Sequence, residues 1–381
     1  MTESADEIAM IRATTRAFVR SRLVPLERQI EEADEADPAL LAALRAEAAK
    51  LGLYGFNMPA ELGGPGLGPM ARLAILEELT YTSVPLTEVL GHLPYSLVFC
   101  DAEQRRRILP GIVSGAKTIT YALTEPDAGS DLGGIRARAT RASGGWVLNG
   151  SKQFISNLET ADYVLALAVS DPAAPLKRRL TAFIIARDNP GIRGVTRFRT
   201  MGWRGYRLNG FSLEDCFVPD RDVLGQPGDG FTTMMAAINH DRILSACRSI
   251  GLARRGQEMA CAYAKERAAF GAKLADHQAI QFMIADNDVE IEAARLLVRR
   301  AMELADGGGT EFRIAAARAK LYASEMGCRV ADRVVQVFGG MGYMRELPVE
   351  RLYRDARAFR IGEGTSEMQR IQIARHALAA G

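Results

Sequence analysis

Glu363 stands between two glycines in the stretch Arg360-Ile361-Gly362-Glu363-Gly364-Thr365-Ser366-Glu367-Met368-Gln369-Arg370. Flanking glycines leave a carboxylate unobstructed, so a substrate can come close, and they admit backbone conformations that other residues resist. Thr365 or Ser366 follows as a helix cap, and Ser366 with Gln369 has the spacing of a capping box. The carboxylate is therefore expected at the mouth of a helix, beside N–H groups with no helical partner. Such a place suits a general base working next to an oxygen that gains negative charge. A plain loop glutamate ahead of a cap has the same local sequence, so the rest of the chain must decide.

Three blocks of pattern would position this residue. Residues 1–118 read as a helical domain. Ser4 and Glu7 have capping-box spacing ahead of Ile8, Ile11, Phe18 and Val19. Asp37-Pro38 starts a second helix that carries Leu40, Leu41, Leu44 and Ala48. The Gly/Pro-rich stretch from Pro59 to Pro69 is a loop. Residues 119–225 read as strands of an antiparallel sheet or barrel, with Asn149-Gly150 as a two-residue hairpin turn. Residues 226–381 return to long helices, one of them ending at Gly339-Gly340, and imply a four-helix bundle. The fold class expected is mostly α with a central β domain.

Composition narrows the function. The 381 residues carry 48 basic and 46 acidic side chains, a formal charge of +2. That balance gives no electrostatic reason to expect nucleic acid or an anionic membrane as a partner. Arg248, Arg254 and Arg255 read as a solvated helix face. The five cysteines are scattered and the four histidines lack metal-ligand spacing, so no metal and no disulfide framework is expected. The first residues are acidic and polar, unlike a signal peptide, and no apolar run is long enough for a membrane helix. A cytoplasmic protein is the expectation.

Further motifs occur in a fixed order. Tyr121-Ala122-Leu123-Thr124-Glu125-Pro126-Asp127-Ala128-Gly129-Ser130-Asp131 comes first, then Leu148 to Asn157. Glu266-Arg267-Ala268-Ala269-Phe270-Gly271, His277-Gln278 and Gln336-Val337-Phe338-Gly339-Gly340 precede the Glu363 segment. Together these motifs resemble the acyl-CoA dehydrogenase family of flavoenzymes over nearly the whole chain. The resemblance implies FAD as cofactor, an acyl-CoA substrate, electron-transferring flavoprotein as acceptor and a homotetramer built as a dimer of dimers.

It also implies roles residue by residue. Tyr121, Leu123, Thr124 and Ser130 match the segment that contacts the flavin, and Ser130 would also face the pantetheine arm. Phe154 and Ser156 match a second ring-contacting strand, where the usual residues are Trp and Thr. Arg267 and Phe270 match a pyrophosphate corner, and His277 and Gln278 residues near the adenine half. Gln336, Gly339 and Gly340 match a stretch reaching the FAD of a neighbouring subunit. Thr365 and Glu367 belong to the cofactor set as well. Asn239, Arg242, Gly362 and Gly364 match substrate positions. Asp241 occupies the place where some branched-chain members carry their base; with Glu363 present it reads as structural.

The implied reaction is α,β-dehydrogenation, with Glu363 taking the α-proton and hydride leaving for the flavin. Many straight-chain members have Tyr just before that glutamate. Gly362 stands there here, which predicts a pocket wide enough for a methyl branch or a ring, unless Tyr95, Phe99 or another side chain fills the gap. Two rivals stand beside this reading. One is a flavin oxidase or monooxygenase on the same fold, although monooxygenase relatives generally lack the glutamate. The other is a non-catalytic acyl-CoA-binding protein.

Overall fold

In a computed structural model, which describes residues 3–379, the chain runs helix, sheet, helix. The first block holds α1 (Ala5–Phe18), α2 (Pro38–Lys50) and α3 (Pro69–Leu79), with short helical pieces between them. Ser4 caps α1 by accepting from the Glu7 N–H, and Asp37 caps α2 by accepting from Ala39. Every residue of α3 from Ala71 to Leu79 is buried, charged ones included. Its acids find arginines: Glu78 meets Arg16 at 2.9 Å and Glu77 meets Arg295 at 3.0 Å. Buried charges persist when they are paired in this way.

The middle block is one sheet of eight strands: β1 (Ile119–Ala122), β2 (Arg138–Ala142), β3 (Gly145–Ser156), β4 (Tyr163–Val169), β5 (Leu180–Ala186), β6 (Ile192–Phe198), β7 (Leu208–Pro219) and β8 (Val223–Leu224). Their order is β6-β7-β3-β2-β4-β5-β8, with β1 beside β4. Two expectations are corrected here. The sheet is not closed into a barrel, and β1 runs parallel to β4 rather than antiparallel. β6 remains an edge, mostly exposed and carrying Arg193 and Arg197, and such charges keep an edge from pairing further.

Asn149-Gly150 is not a hairpin turn. β3 passes through it, and the turn falls earlier, at Ser143-Gly144. The pair forms an irregularity opposite β7, where the Asn149 side chain accepts from the Asp215 N–H at 2.9 Å. A Cβ on Gly150 would sit 2.6 Å from the Ala137 backbone. Glycine is required there by close approach of a neighbouring segment, not by a reversal of the chain.

The last block is built on α4 (Gly230–Glu266), whose 37 residues span about 55 Å. The short strands β9 (Ala268–Ala269) and β10 (Ala272–Lys273) turn the chain into α5 (Gln278–Glu303). α6 (Gly309–Phe338) returns along α4 and α5 and ends at Gly339, φ +58. α7 (Val349–Ala358) and α8 (Ser366–Ala379) pack on α6, and α8 completes the bundle. Among the described residues no helix is long and apolar enough to cross a membrane, and no group of side chains could hold a metal.

The arginines read as a solvated face of α4 turn inward instead. Arg248 meets Glu88 at 2.5 Å, and Arg254 donates to the Glu77 carbonyl at 2.9 Å. Arg255 meets Glu27 at 2.6 Å, and Arg351 of α7 meets the other oxygen of Glu27 at 2.8 Å. Glu27 opens a short helix, Glu27–Ala33, and is 3% exposed. Burial raises its pKa, but the two guanidiniums and the Thr82 hydroxyl outweigh burial and hold it below the usual carboxylate range. The N-terminal helices thus bring acceptors to a face that sequence alone leaves bare.

Candidate active site

Glu363 lies on the turn between α7 and α8. The N–H groups of Ile361 and Gly362 both reach the Ala358 carbonyl at 3.0 Å, which tightens the chain as α7 ends. Glu363 then takes φ +55 and Gly364 φ +86. A left-handed non-glycine residue costs about 1–2 kcal/mol and persists only when its surroundings hold it.

What holds it is a clamp on two carbonyls. Lys320 of α6 donates to the Gly364 oxygen at 2.8 Å. Gln369 of α8 donates to the same oxygen at 2.8 Å and to the Glu363 oxygen at 3.3 Å. Arg242 of α4 reaches the Glu363 oxygen at 3.4 Å and is itself fixed by Asn239 at 2.8 Å and Gln372 at 3.1 Å. The clamp takes only backbone oxygens, so the carboxylate stays free. The Glu363 N–H finds no acceptor among the described residues.

The capping box expected from Ser366 and Gln369 does not form. Thr365 caps α8 instead, accepting from the Met368 N–H at 3.3 Å, because Gln369 turns back to the loop and Ser366 is buried beside Glu325. Sequence reasoning missed Lys320, Gln369 and Gln372 as loop supports. Their one legible signal is Lys320, a lysine on the alanine-rich buried face of an amphipathic helix.

Glu363 is open to solvent on one side while protein crowds its other sides. That crowding raises its pKa, and Arg248, Lys320 and Arg242 pull it back, Arg248 most. Asp241 of α4 faces the same space. Burial first, and the charge of Glu363 second, push its carboxyl well above the usual range. Two carboxyls so placed do not both ionise readily. Three cations act on Glu363 and only Arg248 on Asp241, so ionisation of the pair favours Glu363. His92 Nδ1 lies 3.7 Å from Asp241 and is uncharged, its pKa pushed down to about 3 by burial. Burial also lowers Lys320, to about 8.

The segments matched to a flavin ring come together, with Tyr121 near Glu363. Lys152 donates to the Leu123 carbonyl at 3.1 Å and to Glu125 at 2.7 Å, and the Gln153 N–H donates to the Thr124 carbonyl at 3.0 Å. Thr120 Oγ1 donates to the Ser156 carbonyl at 2.6 Å. Residues 121–124 are thereby stitched to 152–156. Tyr121 has a buried hydroxyl with no partner of good hydrogen-bonding geometry; burial first, then the nearby Asp241 and Glu363 carboxyls, push its pKa up, and Ser96 pulls it back. Phe154 takes φ +58 and stands 51% exposed, 4.9 Å from the Phe198 ring. Ser130 is exposed on the turn that follows, and Glu367 is exposed in the first turn of α8.

A second group lies apart from Glu363. Arg267 and Phe270 occupy the turn after α4, His277 and Gln278 the start of α5, and Gln336, Gly339 and Gly340 the end of α6. His277 is tied to the Ala269 carbonyl at 3.0 Å, and Tyr263 stacks on Phe338 at 4.2 Å, so these turns share one end of the bundle. Phe270 is 99% exposed, and a Cβ at Gly339 or Gly340 would meet nothing within 4 Å. Bare aromatic rings, an orphaned buried hydroxyl and open glycine backbone fit a large cofactor with a ring at one end and phosphates and a base at the other.

Three family models match the chain in order: acyl-CoA dehydrogenase N-terminal domain over residues 5–116, middle domain over 120–216 and C-terminal domain over 228–378. An acyl-CoA dehydrogenase of Bacillus subtilis (strain 168) is 35% identical over 382 residues, covering 98% of each chain. Butyryl-CoA dehydrogenase from Megasphaera elsdenii superposes with a TM-score of 0.92 at 30% identity, over 99% of this chain and 100% of that one. An acyl-CoA dehydrogenase from Bacillus anthracis complexed with FAD gives a TM-score of 0.91 at 29% identity, over 99% of this chain and 69% of that one. Motif order, three matched domains and a shared fold agree: the chain belongs to the acyl-CoA dehydrogenase family, and it is an FAD-dependent oxidoreductase acting on acyl-CoA.

Proposed function

We propose that Glu363 is the base that removes the α-proton when this enzyme dehydrogenates an acyl-CoA thioester. The observation that carries this is the clamp: three side chains hold the loop by its carbonyls and leave the carboxylate and its own N–H free. Glu363 takes the proton onto a carboxylate oxygen. Its N–H, aimed at no protein acceptor, donates to the thioester oxygen as charge builds there. Crowding keeps the carboxylate basic, and Arg248, Lys320 and Arg242 keep enough of it ionised to act. Bound FAD supplies the hydride acceptor.

Leu123, Thr124, Phe154 and Ser156 are assigned to the flavin ring in this reading. Arg267, His277, Gln278, Gln336, Gly339 and Gly340 are assigned to the rest of FAD, partly in a neighbouring subunit. An exposed stripe supports assembly. Phe282, Val289 and Leu296 follow at seven-residue spacing on α5 and are 59%, 68% and 59% exposed. Such a seam fits a helix of a second copy and, with the shared cofactor, a homotetramer. Electron-transferring flavoprotein is the proposed acceptor. The five free cysteines fit a reducing compartment such as the cytoplasm.

Glu363→Gln tests the central assignment. The amide keeps the shape and cannot take the proton, so FAD should stay bound while substrate bleaches the flavin at least ~10²–10⁴-fold more slowly. Bleaching near the wild-type rate would move the role to Asp241.

A further inference from the structure

Among the described residues, Trp203 is the largest side chain on a left-handed backbone, at φ +56. For so bulky a residue that is a true outlier, and it persists only where its neighbours hold it. What holds it is one residue of α7. The Asp355 carboxylate accepts from the Trp203 N–H at 2.6 Å, and the Asp355 carbonyl accepts from the indole Nε1 at 3.1 Å. Arg354 donates to the Met201 carbonyl at 3.0 Å. The two segments meet without a gap: a Cβ on Gly202 would sit 2.5 Å from Asp355 Oδ1 and 2.8 Å from the Arg354 backbone. The indole lies 5.2 Å from the ring of Phe359, which is 2% exposed and opens the turn that carries Glu363.

The other end of the same loop runs to β3. The Tyr206 N–H donates to the Trp203 carbonyl at 2.9 Å and closes a turn. Arg207 and Asn157 then exchange bonds. The Asn157 N–H donates to the Arg207 carbonyl at 2.7 Å, and the Arg207 N–H donates to Asn157 Oδ1 at 3.2 Å. Leu208 pairs with Ser156 as β7 begins. One loop, 201–207, thus joins the end of β3 that carries Phe154 and Ser156 to the helix whose end sets the Glu363 turn. Dehydrogenation needs that register. The proton and the hydride leave adjacent carbons, one toward the carboxylate and one toward the flavin, and a misplacement of ~1 Å can cost ~10²-fold.

We propose that Trp203, pinned by Asp355, is a positioning residue for this reaction, setting the Glu363 turn against the end of β3 assigned to the flavin ring. This rests on Glu363 being the base. A plain fastener between the sheet and α7 would make the same contacts, so alignment and folding must be read separately.

The test uses FAD-loaded enzyme and three variants. Trp203→Gly removes the ring and keeps the backbone N–H that Asp355 holds. Gly202→Ala removes no hydrogen-bonding group and wedges the loop off α7 by one methyl. Trp203→Phe keeps a ring against Phe359. The substrate is butanoyl-CoA or 2-methylpropanoyl-CoA, whichever bleaches the wild-type flavin faster. The first two variants should lower the limiting rate of anaerobic bleaching at least about tenfold, with the half-saturating concentration within about threefold, and Trp203→Phe should recover most of the rate. A second readout needs no turnover. 3-Oxobutanoyl-CoA can give its acidic α-proton to the base but has no β-hydrogen to pass on, so its enolate stays against oxidised FAD and absorbs at long wavelength. At saturating ligand that band should fall at least about threefold in the same two variants. If Trp203→Gly does not fold or hold FAD, Gly202→Ala carries the comparison. A lower melting temperature with rate and band unmoved makes the loop a fastener only and overturns the proposal, leaving the base in place. If Glu363→Gln keeps both rate and band, the base lies elsewhere, and the positioning role falls with it.

Discussion

Lys320 has two effects that pull in one direction. Its ammonium holds the Gly364 carbonyl, and its charge favours the ionised form of Glu363. The flavin-bleaching rate should therefore rise with pH through an ionisation lying above that of a free glutamate. Lys320→Met should move that midpoint further up, since a cation is lost, and lower the plateau, since the loop is loosened. Stopped-flow bleaching across about pH 5 to 9 measures both. A midpoint moving down would count against the arrangement. Stability has the opposite slope. The pKa of Glu363 is raised on folding, so its contribution is full below the unfolded pKa and is lost as pH rises through the folded one. The place of Glu363 at the mouth of α8 was legible in sequence because the glycines and the cap that set it are local. Lys320 and Arg248 were not, because Gly364 lies 44 residues from the first and Glu88 160 from the second.

At the scale of elements, the two glycines around Glu363 differ in kind. Gly364 needs its left-handed backbone, and a Cβ there would sit 2.8 Å from Gln369 Nε2. Gly362 has no such need; a Cβ would meet only the Ala358 carbonyl, at 3.8 Å. Its bareness thus keeps space rather than conformation, which supports room for a branch or ring beside the reacting carbons. Gly362→Tyr should fold and should shift preference from branched or cyclic acyl-CoAs toward straight chains of equal carbon number. Gly364→Ala should cost about 1–2 kcal/mol in denaturant unfolding. A wild type that already prefers straight chains, or an unmoved ratio in Gly362→Tyr, removes the wide-chamber argument. The long helices were readable from their apolar period. Asn149-Gly150 was misread because a hairpin and an in-strand irregularity can use the same dipeptide. Only pairing with β7, more than 60 residues on, separates them.

At the scale of the molecule, the open end of the bundle and the bare stripe on α5 call for neighbours. Removing FAD should lower thermal stability, because a ligand at 100 times its Kd adds about 2.7 kcal/mol to the folded state. Phe282→Glu should weaken assembly and FAD retention together, as seen by sedimentation and flavin absorbance. A stable, FAD-saturated monomer would refute the shared site. Within one chain, the Glu27 carboxylate joins the N-terminal helices to α4 and α7, 228 and 324 residues away. Parting it from either arginine leaves a charge buried without its partner, so the three segments must loosen in concert. Their innermost amides should exchange with solvent deuterium through one shared opening of a single free energy. The helical cap and the C-terminal bundle should, in that sense, behave as one foldon, and a protease cut between them should release no stable piece.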